Sequence, residues 1–126
     1  MKRLWIVFGI VAVILAASGL SLWHLGAVSQ RMDASLQELS EAVEARDDAR
    51  LQALTAAFLE EWEQDEHLMM RYIHHDELDA INGCAARLPA LARYGDYPEL
   101  AAELDRMRHL VRHIWESEAP SLRNIF

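Results

Sequence analysis

Ala42-Val43-Glu44-Ala45-Arg46-Asp47-Asp48-Ala49-Arg50-Leu51 is the stretch on which the fold turns. Upstream, Met32, Leu36, Leu39 and Val43 recur at three- and four-residue steps, one apolar stripe along a helix. Downstream, Leu51, Leu54, Phe58, Trp62 and Met69 form a second stripe. Between the two lies Arg46-Asp47-Asp48, charged throughout. Asp47 suits the cap of a new helix, because its carboxylate can accept an N–H that the first turn leaves unpaired. The spacing therefore predicts a turn here and a helical hairpin. The alternative is one continuous rod. A hairpin folds the rest of the chain back toward the start of the first helix; a rod carries it far away.

That start is a long apolar run. Residues 4–28, from Leu4-Trp5-Ile6-Val7-Phe8 to Leu25-Gly26-Ala27-Val28, contain no Asp, Glu, Lys or Arg. As an α-helix they extend about 37 Å, enough to cross a hydrocarbon core roughly 30 Å thick. Lys2 and Arg3 precede the run, and Arg31 beyond it is followed by Asp33, Glu38 and Glu41. The positive-inside rule puts the N-terminus in the cytoplasm. Trp5 and Trp23 lie about 27 Å apart along a helix, one for each membrane interface. His24 then sits at the outer interface. A cleaved signal peptide is the competing reading, with small residues at Ala16-Ala17-Ser18 or Ala27-Val28-Ser29. The apolar stretch is long for that role, and neither site is a clean A-x-A, so a signal anchor is the reading adopted.

The residues after the run suffice for one small domain. They carry all 20 acidic residues and ten of the twelve basic ones, a formal charge of −10. Such a surface argues against nucleic acid and against docking on anionic lipid. Cys84 is the single cysteine, so no intrachain disulfide forms, and Ile81, Ala85 and Leu88 around it predict a buried thiol.

No Gly or Pro falls between Gly26 and Gly83, and strong helix formers dominate. The second helix is expected over about 48–71. Its acids Glu60, Glu61, Glu63, Asp65 and Glu66 read as a solvated face. A third helix is expected from about Asp76, with Asp76-Glu77-Leu78-Asp79 resembling a capping box. It buries Leu78, Ile81, Cys84 or Ala85, Leu88 and Leu91; Pro89 should kink or end it, and Gly95 supplies its left-handed cap. A fourth is expected to start with Pro98 at its first position, to bury Leu100, Leu104, Met107, Val111 and Ile114, and to stop at Pro120. Residues 121–126 form a short tail packed back on the bundle.

One polar constellation stands out. A short turn makes the third and fourth helices antiparallel neighbours. His67, His74, His75 and Asp79 then share an end of the bundle with His109, His113 and Glu116. Imidazoles and carboxylates on facing helices are how bundles build metal sites. No H-E-x-x-H occurs, and the paired E-x-x-H motifs of di-iron bundles are absent from the sequence. A structural polar cluster, with histidines placed against a helix C-terminus, is the plainer reading; a pH-responsive contact is the third. No nucleophile elbow, phosphate-binding glycine loop or dinucleotide fingerprint is present.

Trp62, the segment Tyr72-Ile73-His74-His75-Asp76-Glu77-Leu78-Asp79-Ala80-Ile81, then His113-Ile114, Glu116 and the ending Ser121-Leu122-Arg123-Asn124-Ile125-Phe126 together resemble a family. It is a family of small Firmicutes proteins known as a domain of unknown function (number 4363). Its pattern reads Ile-Asp-His-Glu-Glu-Ile-Asp-x-Ile, then His-Ile-x-Glu, then Ser-Leu-x-Asn-Ile-Leu. His75, Glu77, Asp79 and Ile81 match the first part, with His74 for its Asp and Asp76 for one Glu. His113, Ile114 and Glu116 match the second. Ser121, Leu122, Asn124 and Ile125 match the third, with Phe126 for Leu. The resemblance implies a single N-terminal membrane segment and a helical outer domain, and it supplies no activity.

The fold class expected is thus all-α: a transmembrane helix followed by a small antiparallel bundle of three to four helices. Residues 1–3 are cytoplasmic, 4–28 the signal anchor and 29–126 an extracytoplasmic helical domain at a bacterial cell membrane. His75, Asp79, His113, Glu116 and Asn124 are expected to form one hydrogen-bonded junction. No catalytic residue, cofactor or metal ligand is assigned. The function expected is a membrane-anchored binding or assembly module, non-enzymatic, touching another membrane protein or itself. A metal-binding or pH- or metal-sensing domain centred on the histidines is the alternative.

Overall fold

Four helices make up the fold in a computed structural model of the chain: α1 (Lys2–Ala45), α2 (Asp48–Met69), α3 (His75–Tyr94) and α4 (Tyr97–Arg123). The structure describes residues 1–71 and 73–123, with side chains as far as residue 117. No strand occurs among the described residues.

The hairpin at Arg46-Asp47-Asp48 is present, and the rod is excluded. Arg46 takes the left-handed conformation (φ 52°), and its N–H, with that of Asp47, is donated back to carbonyls of the last turn of α1. Asp47 caps α2, its carboxylate accepting from the Arg50 N–H at 3.2 Å. The ring of Tyr97 lies under the Arg46 guanidinium, 5.4 Å from its centroid, and the Tyr97 hydroxyl donates to Asp48. The first residue of α4 thereby clasps the α1–α2 turn.

α1 packs on α2 and α4, and α3 packs on the same two helices, so the four form a closed up-down-up-down ring. The apolar stripes meet at its centre. Met32, Leu36, Leu39 and Val43 of α1, with Leu51, Phe58, Trp62 and Met69 of α2, are buried there. Leu78, Ile81, Cys84, Ala85 and Leu88 of α3 join Leu100, Leu104, Met107, Val111 and Ile114 of α4. Leu54 and Leu91 are half-buried at the margin.

Three local expectations are corrected. The cap of α3 is His74, without a side-chain cap bond; Asp76 and Glu77 lie in the first turn, where they face the positive end of the dipole. α3 also does not end early at Pro89 but continues through it to Tyr94 and the expected left-handed cap Gly95 (φ 68°). A proline inside a helix costs about 3 kcal/mol. Buried Ala85, Leu88 and Ala92 on either side of it anchor the helix to its neighbours and offset that cost. α4 starts at Tyr97, one residue before Pro98, with the Asp96 carboxylate accepting from the Glu99 N–H, and it runs through Pro120 to Arg123. The expected tail packing falls on residues outside those whose side chains are described.

The apolar run at the N-terminus divides in two. Residues 1–20 are exposed throughout, whereas Leu25 and Val28 are buried in the core. A single unbroken helix of 44 residues joins these two environments.

Candidate functional site

Antiparallel order sets the end of α2, the start of α3 and the end of α4 at one end of the bundle, level with the point where α1 leaves it. We call this end the base. Gly26 of α1 marks the level: a methyl group there would meet Cη2 of Trp115 at 3.0 Å. Most of the residues singled out from the sequence lie at this end. His75 opens α3, and Asp79 follows one turn later; His113 and Glu116 lie near the end of α4. All four are exposed, as are His67 and His74. Among the described residues no hydrogen bond or ion pair joins His75, Asp79, His113 and Glu116, and Asn124 lies outside the described residues. His109 stands farther from the base, over a shallow hollow lined by Asp105, Arg108 and Arg112. Among the described residues, no group of three or more His, Cys, Asp or Glu is arranged to hold a metal ion.

The polar ties that hold the bundle together are made by other residues. The Trp62 indole donates its N–H to Asn82 Oδ1 at 2.7 Å, and Asn82 Nδ2 donates to Glu66 at 2.6 Å, joining α2 to α3. Arg31 donates to the buried Asp65 at 2.6 Å, joining α1 to α2. Arg108 donates to Asp33 at 3.1 Å, joining α4 to α1. Arg87 donates to Glu99 at 2.8 Å and to the buried Glu103, joining α3 to α4. Every pair of adjacent helices thus has a tie at a fixed register. Of these ion-pair members only Asp65 and Glu103 are buried, and it is at these two that the register role attested for buried polar groups in helical assemblies applies.

Asp65 corrects the solvated-face reading of the acids at 60–66. It is buried, while Glu60, Glu61 and Glu63 are exposed. Spacing carries the signal: Leu51, Thr55, Phe58, Trp62, Asp65 and Met69 step by four and three, so Thr55 and Asp65 occupy core positions of the stripe. Thr55 satisfies its hydroxyl on the Leu51 carbonyl at 2.7 Å, and Asp65 draws its cation from another helix. Glu103 likewise follows Leu100 by three.

Cys84 is buried, as its neighbours implied. Burial, then a hydrogen bond to Glu103, pushes its thiol up to about 11. The thiol is neutral at physiological pH and lacks the thiolate a nucleophile needs.

Two open grooves flank the core. One, of about 340 Å³, runs between α1 and α4 beside Gly26, Ser29, Asp33, Arg112 and Trp115. The other, of about 230 Å³, lies between α2 and α3 beside Thr55, Leu59 and Pro89. Neither gathers the histidines.

Comparison with curated proteins and with solved structures found no match. Residues 20–125 match the family described as a domain of unknown function (DUF4363), and the match begins where α1 passes from its exposed stretch to the bundle. That span covers most of the chain and all of the bundle, and the chain belongs to this family.

Proposed function

We propose that this protein is a membrane-anchored helical module that binds or assembles with another membrane protein or with itself, and performs no catalysis. One observation carries the reading. α1 is a single helix whose residues 1–20 are exposed and largely apolar, while its second half supplies a full stripe to the core. A helix of that length and composition is compatible with one crossing of a membrane. Lys2 and Arg3 favour a cytoplasmic N-terminus, with the bundle on the far side. The bundle itself is knit by register-fixing ties, which suits a rigid presenting surface.

The test is crosslinking at native expression level in the protein's own membrane, with the intact mass of the mature chain measured alongside. One stoichiometric membrane partner, or the protein itself, is the expected recovery. A mature chain shortened by about 18 or 29 residues would mark a cleaved signal peptide and overturn the anchor. Recovery as an uncrosslinked monomer would overturn the assembly role.

A further inference from the structure

The stretch of α1 outside the core is only just long enough for the membrane it would cross. Leu25 is the first buried residue, and residues 4–24 before it span about 31 Å of helix, against a hydrocarbon core of roughly 30 Å. About 20 residues are needed, which carries the outer boundary from Leu4 to about Trp23. Two residues later the bundle begins. Leu25 is a core residue, and Trp115 of α4 lies against its neighbour Gly26. The base therefore has no stalk between itself and the bilayer.

The base is also where apolar surface is left uncovered. Beyond residue 20, the large apolar side chains exposed among the described residues are Trp23, Leu68, Met70 and Tyr94. Trp23 lies on α1 at the base, Leu68 in the last turn of α2 and Met70 immediately after it. Tyr94, alone at the far end, carries a hydroxyl. An apolar patch confined to the end that adjoins an apolar span is what a bilayer interface would select. Charge does not select it: the same end carries His67, Arg71, His74 and His113, but also Asp76 and Glu77 in the first turn of α3 and Glu116 near the end of α4.

We propose that the base of the bundle is seated in the outer membrane–water interface, with Leu68, Met70 and Trp23 in the headgroup region of the lipid. This rests on the anchor reading above. Burial of apolar side chains next to the span holds it there, so neutral lipid suffices. The seating fixes the tilt of the bundle and turns its α1–α2 end, with Arg46 and Tyr97, away from the membrane.

The test uses the full chain in phosphatidylcholine vesicles, with a fluorophore placed at Leu68→Cys, Met70→Cys or, as the distal control, Ala49→Cys. The unsubstituted chain, whose Cys84 is buried, is the labelling blank. Lipid carrying a shallow nitroxide is expected to quench positions 68 and 70 at least about twofold more than position 49, and aqueous iodide to do the reverse. Equal iodide access at all three positions, in protein that stays with the vesicles through an alkaline wash, would overturn the seating and leave the anchor standing. Protection at 68 and 70 that rises with protein-to-lipid ratio, without lipid quenching, would assign the patch to a second copy and overturn it too. Protein released by the wash would overturn the anchor itself.

Discussion

Trp115 lies against the backbone of Gly26, its Cη2 3.0 Å from where a β-carbon would stand. The absent side chain lets α4 lay an indole across α1 at the level where that helix leaves the bundle. Among the described residues, this is the one glycine whose lack of a side chain admits a neighbour within 4 Å. Gly26→Val is expected to push the indole out and cost about 1–3 kcal/mol. The penalty should shrink in a Trp115→Ala background. Melts of the four proteins in detergent, with tryptophan emission as the second probe, check both statements.

Arg31 and Asp65 form the tie between α1 and α2 in which only the acid is buried. Removing the cation strands a buried carboxylate. Arg31→Met is expected to cost about 2 kcal/mol, below the range for a fully buried pair because the guanidinium is half exposed. Asp65→Met added to it should restore most of that, since an apolar pair fits a core position. A double-mutant cycle by chemical denaturation reads the coupling; strict additivity would sink the assignment.

Asn82 relays between Trp62 and Glu66. Asn82→Leu leaves a buried indole N–H without an acceptor, at a cost of about 1–3 kcal/mol. Trp62→Phe, which removes the donor as well, should make the further change Asn82→Leu less damaging. Thermal stability of both backgrounds decides.

The Cys84 thiol is expected to resist alkylation at pH 8 until the chain unfolds, as mass spectrometry with and without denaturant would show. Its folded pKa stands above the ordinary value of 9.0, near 11. The folded chain therefore holds the proton that the unfolded chain releases between those values. Its contribution to stability is complete below pH 9 and falls as pH rises toward about 11. Cys84→Ala should flatten that part of the stability–pH curve.

Asp47→Ala is expected to cost about 1 kcal/mol by leaving the Arg50 N–H uncapped. Loss confined to the α1–α2 end, seen as faster amide exchange in residues 44–52, would mark a local cap. No change in exchange there would count against it.

Much of the fold was legible because its causes are local. Met32, Leu36, Leu39 and Val43 lie within three turns of one another, and their period alone announces a buried face. Asp47 caps an N–H three residues away, and Gly95 ends a helix through its own backbone freedom. The burial of Cys84 followed from neighbours within four residues.

The polar interior was less legible. Asp65 sits among five acids that all read as solvated; its spacing from Trp62 hints otherwise, but its partner is Arg31, 34 residues earlier. Glu103 and Arg87, like Asp33 and Arg108, are paired only because antiparallel packing sets their levels equal. His75, Asp79, His113 and Glu116 share the base, as topology implied, yet all four face solvent. Placement at one end follows from connectivity, whereas contact depends on which way each helix is rotated.

The sequence by itself determined the helices, their stripes and a candidate turn at Arg46-Asp47-Asp48, because period, capping and turn chemistry act over three or four residues; the choice of hairpin over rod came with the packing of α2 on α1. Tertiary structure alone decided that Leu25 and Val28 belong to the bundle, that α3 continues past Pro89, and that Asp65 meets Arg31. Each of those depends on a surface or a charge supplied by another helix. The free energy that settles them is gained only when the helices meet.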